Sequence, residues 1–215
     1  TSAHNRAQVL YYVAENLEAR AGEFRARLIA MTGASRSQAA HELRASVARL
    51  FAAAAWAEGD IDTAISHFEQ IVNKWPRDMY AVRLCCTLKF YARKDAEGAL
   101  TLVRSVIDQI DDRGQALALL SFMEEEAGLF NDAETSARAA VAIDRDLILG
   151  QHTVAHVMEA QGRDAEGVAW LEQFTDTWED LNESFNPHMW MHLGLHCLGT
   201  GHGDRVVALF DDKIA

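Results

Sequence analysis

The sequence predicts an all-α fold, a right-handed superhelix of antiparallel helix pairs, on three observations. Small residues recur at Ala64, Ala99, Ala133 and Gly167, at intervals of 35, 34 and 34, and Val206 follows 39 residues later. Ala, Leu, Glu and Arg are common, which favours helix, and there are only two prolines, Pro76 and Pro187. No stretch alternates Val, Ile or Thr as a strand would, and no Asn-Gly or Asp-Gly hairpin turn occurs.

The first elements form a block of their own. Arg6 to Arg20 carries Val9, Leu10, Val13 and Leu17 at helical spacing, and a second helix is expected over Ala21 to Met31. Thr32-Gly33-Ala34-Ser35 breaks the pattern, and Ser35 or Ser37 can cap a third helix from about Gln38 to Ala57. The domain division this suggests is a helical block over 1–44 and a repeat domain over 45–215. NRAQVLYYVAENLEARAGEFRARLIAMTGAS, followed by HELRASVARLFAAAAWA, resembles the early helical stretch of bacterial aldehyde dehydrogenases, across residues 1–57. That family's catalytic cysteine, activating glutamate and glycine-rich nucleotide turn have no counterpart here. The resemblance therefore implies helices, with no NAD binding and no dehydrogenase activity expected.

From Glu58 onward the repeat takes over. Ala64, Phe68 and Pro76 fit the A-x3-F…P half of the tetratricopeptide motif, whose period is about 34 residues. Trp190, Leu193 and Gly194 fit its W-x2-L-G half. Each unit is then two helices whose apolar face is buried only by the next unit, with the small residues where the helices approach closest. Asp95, Asn131-Asp132 and Asp164 are expected to start second helices as caps. The extra length of the last interval falls in Thr177 to Pro187, a polar linker. HFEQIVNKWPRD, MEEEAGLFNDAETSARAAVAID, HTVAHVMEAQGRDAEGVAWLEQF and HMWMHLGLHCLGTG together resemble the tetratricopeptide-repeat domain 38 family, from about residue 59 to the end. That resemblance implies the fold and brings no defined activity.

Composition excludes several function classes. The net charge of −12 argues against a nucleic-acid backbone or an anionic membrane surface as partner. No run approaches the ~18 apolar residues that span a bilayer. No signal peptide is visible, and three cysteines are too few and too odd in number for a disulfide framework. A cytoplasmic protein with reduced, mostly buried thiols is expected, and Cys85-Cys86 falls in a core slot.

The candidate site lies between Gln151 and Cys197, which holds five of the nine histidines. His152, His156 and Glu159 share one stripe of a predicted first helix, and His188, His192 and His196 share a stripe of the next. Three readings of these residues stand open: hydrogen-bonded packing, a polar ligand groove, or a divalent metal held by His152, His156, His192 and His196 with Glu159 and His188 nearby. The H-E-x-x-H signature of a zincin is absent. One of Glu124, Glu125 and Glu126 should reach the same side, and Glu124 is taken as the ligand-binding candidate. Trp75, Trp170, Trp178 and Trp190 could stack on a ligand, though Trp170 and Trp190 fit core slots. The expected function is a helical-repeat binding or scaffold protein with a concave groove for a protein, peptide or small ligand. The alternative is a metal-dependent or small-molecule enzyme with a histidine-lined site between the last two repeats. The N-terminal helices would serve as a cap or homo-oligomer contact.

Overall fold

A computed structural model describes residues 2–179, 181–182 and 185–214, and among them there is no strand. The chain forms two compact units, residues 1–102 with 108–110, and residues 103–107 with 111–215.

In the first unit, α1 (Ala3–Ala19) and α2 (Ala21–Thr32) both pack on α3 (Arg36–Glu58). Ala7 and Ala14 on α1 and Ala45, Ala52 and Ala55 on α3 are buried, and side chains this small let helix axes come close. α3 begins with a capping box: the Ser35 hydroxyl accepts from the Gln38 N–H while the Gln38 side chain accepts from the Ser35 N–H. It runs unbroken through residues 44 and 45. α4 (Ile61–Lys74) is capped by Asp60 and buries Ala64, Phe68, Ile71 and Val72. Asp78 caps α5 (Met79–Thr87) and also accepts from Arg49 of α3 at 2.9 Å. α5 continues into a π-helical turn over Leu88–Ala92. α6 (Ala96–Val106) follows, with the Asp95 carboxylate accepting from the Gly98 N–H at 2.8 Å, as a cap should. Cys85 and Cys86 are buried, and burial pushes the Cys85 thiol up to about 12 and raises Cys86 further.

The second unit stacks α7 (Arg113–Glu126), α8 (Phe130–Ile143), α9 (Ile148–Ala160), α10 (Asp164–Leu171), α11 (Phe185–Gly199) and α12 (Gly203–Leu209). Consecutive helices pair as α7 with α8, α9 with α10 and α11 with α12. Ala133 and Gly167 sit buried in the second helix of their pairs, and Val206 packs on the core from α12. Two of the expected caps are placed differently. α8 and α10 are preceded by Leu129 and Arg163, neither giving a side-chain cap, while Asp132 and Asp164 lie inside the first turn. There a carboxylate meets the positive end of the helix dipole without bonding as a cap.

The long last interval is not a free linker. Trp178 is fully buried, and its indole N–H donates to the Gln151 side-chain oxygen at 2.8 Å. The Gln151 amide in turn donates to the Arg145 carbonyl at 2.7 Å, and Trp170 donates to the Gln151 carbonyl at 3.1 Å. A buried indole needs both apolar cover and a partner for its N–H. The 3-10 turn Thr175–Thr177 delivers Trp178 to both, so Trp178 is anchored to α9. Asn186 extends the anchor by donating to the Trp178 carbonyl at 2.7 Å. Trp75 and Trp190 are buried as well, so none of the four tryptophans lies open for ligand stacking. Among the described residues, no helix is long and apolar enough to cross a membrane.

Candidate functional site

α9 and α11 are the first helices of neighbouring pairs and lie against each other. Each carries two histidines one turn apart, His152 and His156 on α9 and His188 and His192 on α11. The four rings meet through their Nε2 atoms: 2.8 Å from His152 to His188, 3.2 Å from His156 to His192, and 3.1 Å from His192 to His188. One ligand atom from each of the four lies within 4.8 Å of all the others. The linked pairs are both 36 residues apart, which makes the two helices' histidine pairs run in register.

Carboxylates stand behind the rings. Glu125 of α7 is 3.3 Å from His156 Nδ1, and Glu159 of α9 is 3.6 Å from His192 Nδ1. Phe122 and Phe185 flank His152 with ring centroids 6.2 and 6.4 Å away. Burial lowers the His152 imidazole to about 2 and His192 to about 3, with the neighbouring imidazoles adding to the effect. His188 is lowered by burial and by His156. At His156 burial pulls downward too, but the hydrogen bond and charge of Glu125, with Glu159 and Glu126 beyond it, outweigh burial and raise it. Three of the four rings are thus held neutral, the state in which imidazole offers a lone pair.

Two sequence-predicted site residues lie elsewhere. His196 is turned away from the cluster: its Nδ1 is 2.9 Å from the Asp164 carboxylate and its Nε2 is 3.2 Å from the Ala155 carbonyl. Both ring nitrogens are turned toward oxygens outside the cluster, so His196 aims no ligand atom into it. Its ring lies over Gly167, where an added Cβ would come within 2.5 Å of it. The physical reason is angular drift, since each four-residue step along a helix turns by roughly 40°. Over two steps His188 and His196 separate by twice that, and only two consecutive members of the stripe can share one focus. Glu124 is buried beside Arg104 at 3.0 Å, and Glu125 is the acid that reaches the cluster. His188 completes the focus in place of His196.

The arrangement is a convergence of four nitrogen donors with acidic residues outside it. Imidazole donors suit Zn²⁺ and its transition-metal neighbours and are poor ligands for Ca²⁺ or Mg²⁺, which take oxygen.

The helix pairs, their spacing and their small-residue slots define a tetratricopeptide-repeat fold. The structure is similar to that of PilW, described as a widely conserved type IV pilus biogenesis factor, with a TM-score of 0.65 at 9% identity over 95% of this chain and 90% of that one. A tetratricopeptide repeat protein from Parabacteroides merdae gives 0.63 at 11% identity, covering 95% of this chain and 77% of that one. MamA gives 0.58 at 14% identity, covering 78% and 88%. No protein-family model matches the sequence.

Proposed function

We propose that the chain is a helical-repeat binding or scaffold protein, which takes a protein or peptide on the first helices of its repeats. The observation that carries this reading is an apolar stripe on α11. Met191, Leu195 and Leu198 are exposed there at spacings of four and three residues. Single exposed apolar residues are ordinary, but three along one helical stripe form a surface that an amphipathic partner segment covers well. The net charge of −12 favours basic partner segments by long-range steering. The resemblance to the tetratricopeptide-repeat domain 38 family belongs to this reading and adds no chemistry to it. The N-terminal likeness to aldehyde dehydrogenases contributes helices alone. A reducing, cytoplasmic setting suits the three unpaired buried thiols.

The test is a peptide display selection on the purified protein, followed by titration of the selected peptides. The expected result is saturable binding that weakens tenfold or more in Met191→Glu and Leu195→Glu, with unchanged far-ultraviolet circular dichroism. Selections that yield no saturable binder, or binders indifferent to both substitutions, overturn the proposal.

A further inference from the structure

We propose that His152, His156, His188 and His192 form a closed Zn²⁺ site that ties α9 to α11. This goes beyond the partner-binding reading and does not depend on it.

Hydrogen-bond counting comes first. A neutral imidazole Nε2 carries either a proton or a lone pair, and never both. The contacts run as a chain, His156 to His192 to His188 to His152, with distances of 3.2, 3.1 and 2.8 Å. Each contact needs one N–H and one lone pair. The two middle rings each face two partners with a single function. No choice of tautomers on neutral rings gives every contact its own proton and its own lone pair. One cation at the focus uses four lone pairs at once and removes the conflict.

Distance agrees with this. Zn–N bonds of about 2.0–2.1 Å place tetrahedral ligand atoms about 3.3 Å apart. The three close contacts of 2.8 to 3.2 Å are a few tenths of an ångström below that edge, and all four ligand atoms lie within 4.8 Å of one another, so ring rotations that open the short contacts and close the wider ones bring the donors to it. The two pairs are each one helical turn apart on facing helices, so the backbone sets the donors before any ion arrives.

The surroundings supply tautomer and charge. The hydrogen bond between Glu125 and His156 Nδ1 favours the proton on Nδ1 there, and the Glu159 charge 3.6 Å from His192 Nδ1 biases that ring the same way without a hydrogen bond, which leaves Nε2 to ligate. On metal binding, protons now shared between Nε2 atoms shift to Nδ1 or leave to solvent. One oxygen of Glu125 and the Nδ1 atoms of His152 and His192 are buried without hydrogen bonds. The two carboxylates balance the charge of a divalent ion, which a buried cation requires. Four protein ligands fill a tetrahedral sphere, which marks a structural site; catalytic zinc keeps a position open for water or substrate. The donors are all nitrogen, with neither thiolate nor oxygen to select a softer or harder ion.

The experiment is a Co²⁺ titration of chelator-stripped protein, followed by Zn²⁺ displacement. We expect saturation at one Co²⁺ per chain, the intense visible bands of a tetrahedral ion, their loss on adding one equivalent of Zn²⁺, and a raised melting temperature with Zn²⁺. His156→Gln and His188→Gln, at half-buried positions, should abolish the bands, while His4→Gln and His202→Gln at exposed positions keep them. Glu125→Gln should weaken binding by about 10–100-fold while the bands keep their shape. If the folded wild type shows no saturable binding, or only the faint spectrum of six-coordinate Co²⁺, the proposal fails. It fails equally if folded His156→Gln and His188→Gln both retain the tetrahedral bands.

Discussion

Gly167→Ala isolates the contact that removes His196 from the histidine cluster. An alanine Cβ at that position would lie 2.5 Å from three atoms of the His196 ring. Carbon atoms pack best at about 3.5–4.0 Å, so the ring would have to retreat by about 1 Å. It has little room to do so, being fully buried and held by Asp164 at 2.9 Å and the Ala155 carbonyl at 3.2 Å. Overpacking of this kind costs about 1–3 kcal/mol. Against it stands the helix propensity gained by replacing glycine inside α10, about 1 kcal/mol. The expected net effect in the wild type is a destabilisation of about 0–2 kcal/mol. In a His196→Ala background the clash is gone and only the propensity remains, so Gly167→Ala becomes stabilising by about 1 kcal/mol. Urea unfolding of the four proteins of this double-mutant cycle should give a coupling energy of about 1–3 kcal/mol. Effects additive to within about 0.5 kcal/mol would refute the packing assigned to His196 and Gly167.

Three further outcomes follow from the structure. Lys94 has φ 56° at the turn between α5 and α6, where other turns use glycine, so Lys94→Gly should raise stability by about 0.5–1 kcal/mol in urea unfolding. Glu134 is hydrogen-bonded by Arg163 at 2.6 Å and by Arg138 at 2.8 Å, and the Arg163 bond leads in holding its carboxyl below the usual range. A folded-state value below the unfolded one gives stability that is present above about pH 4.3 and lost as pH falls through the lower folded value, so Glu134→Gln should flatten the acid limb of the unfolding profile. Cys85, Cys86 and Cys197 are buried and all three thiols are raised, mainly by burial, so the native protein should react with a maleimide far more slowly than the urea-unfolded chain.

The fold was legible because a repeat states its constraint several times. Ala64, Ala99 and Ala133 are all fully buried at their expected slots. A second track runs beside it: the turns inside the pairs fall at Gly59, Lys94, Gly128, Gly162 and Gly201, all with positive φ, and they keep the same spacing. Lys94 hides the pattern from any search for glycine. Gly167 was legible as a slot but not as a signal. Where its counterparts hold Ala or Val, a missing Cβ announces a large neighbour, and that neighbour is the ring of His196. The histidine stripes could be drawn from spacing alone. Which two of the three on α11 join the cluster could not, because that depends on how α11 is rotated about its own axis against α9. Trp178 ties the chain ahead of α11 to α9 through Gln151, and a tryptophan in an otherwise polar stretch is the one clue to that tie in the sequence. Glu125 and Glu124 are neighbours in a run of three acids, and adjacent helical positions differ by about 100°, so only packing of α7 on α9 separates them.

α11 uses histidine in two chemically different ways. His196 turns both nitrogens toward oxygens of the fold, the Asp164 carboxylate and the Ala155 carbonyl, and away from the other imidazoles. His188 and His192 aim Nε2 at other imidazoles, where neutral rings compete for the same protons and lone pairs. A helix interface built only for packing would be served better by apolar side chains, which carry no desolvation cost. The proposed Zn²⁺ site gives the burial of His152 and His192 a reason, and a closed set of four donors would make that ion a brace between helices. The brace also bears on partner binding, because Met191 and Leu195 lie on the same helix as His188 and His192. Holding α11 in register against α9 holds the apolar stripe in one orientation and lowers the ordering cost of docking. Removing the metal should then weaken a bound peptide without changing which residues it contacts, whereas Met191→Glu should remove the contact while the Co²⁺ spectrum stays as it is.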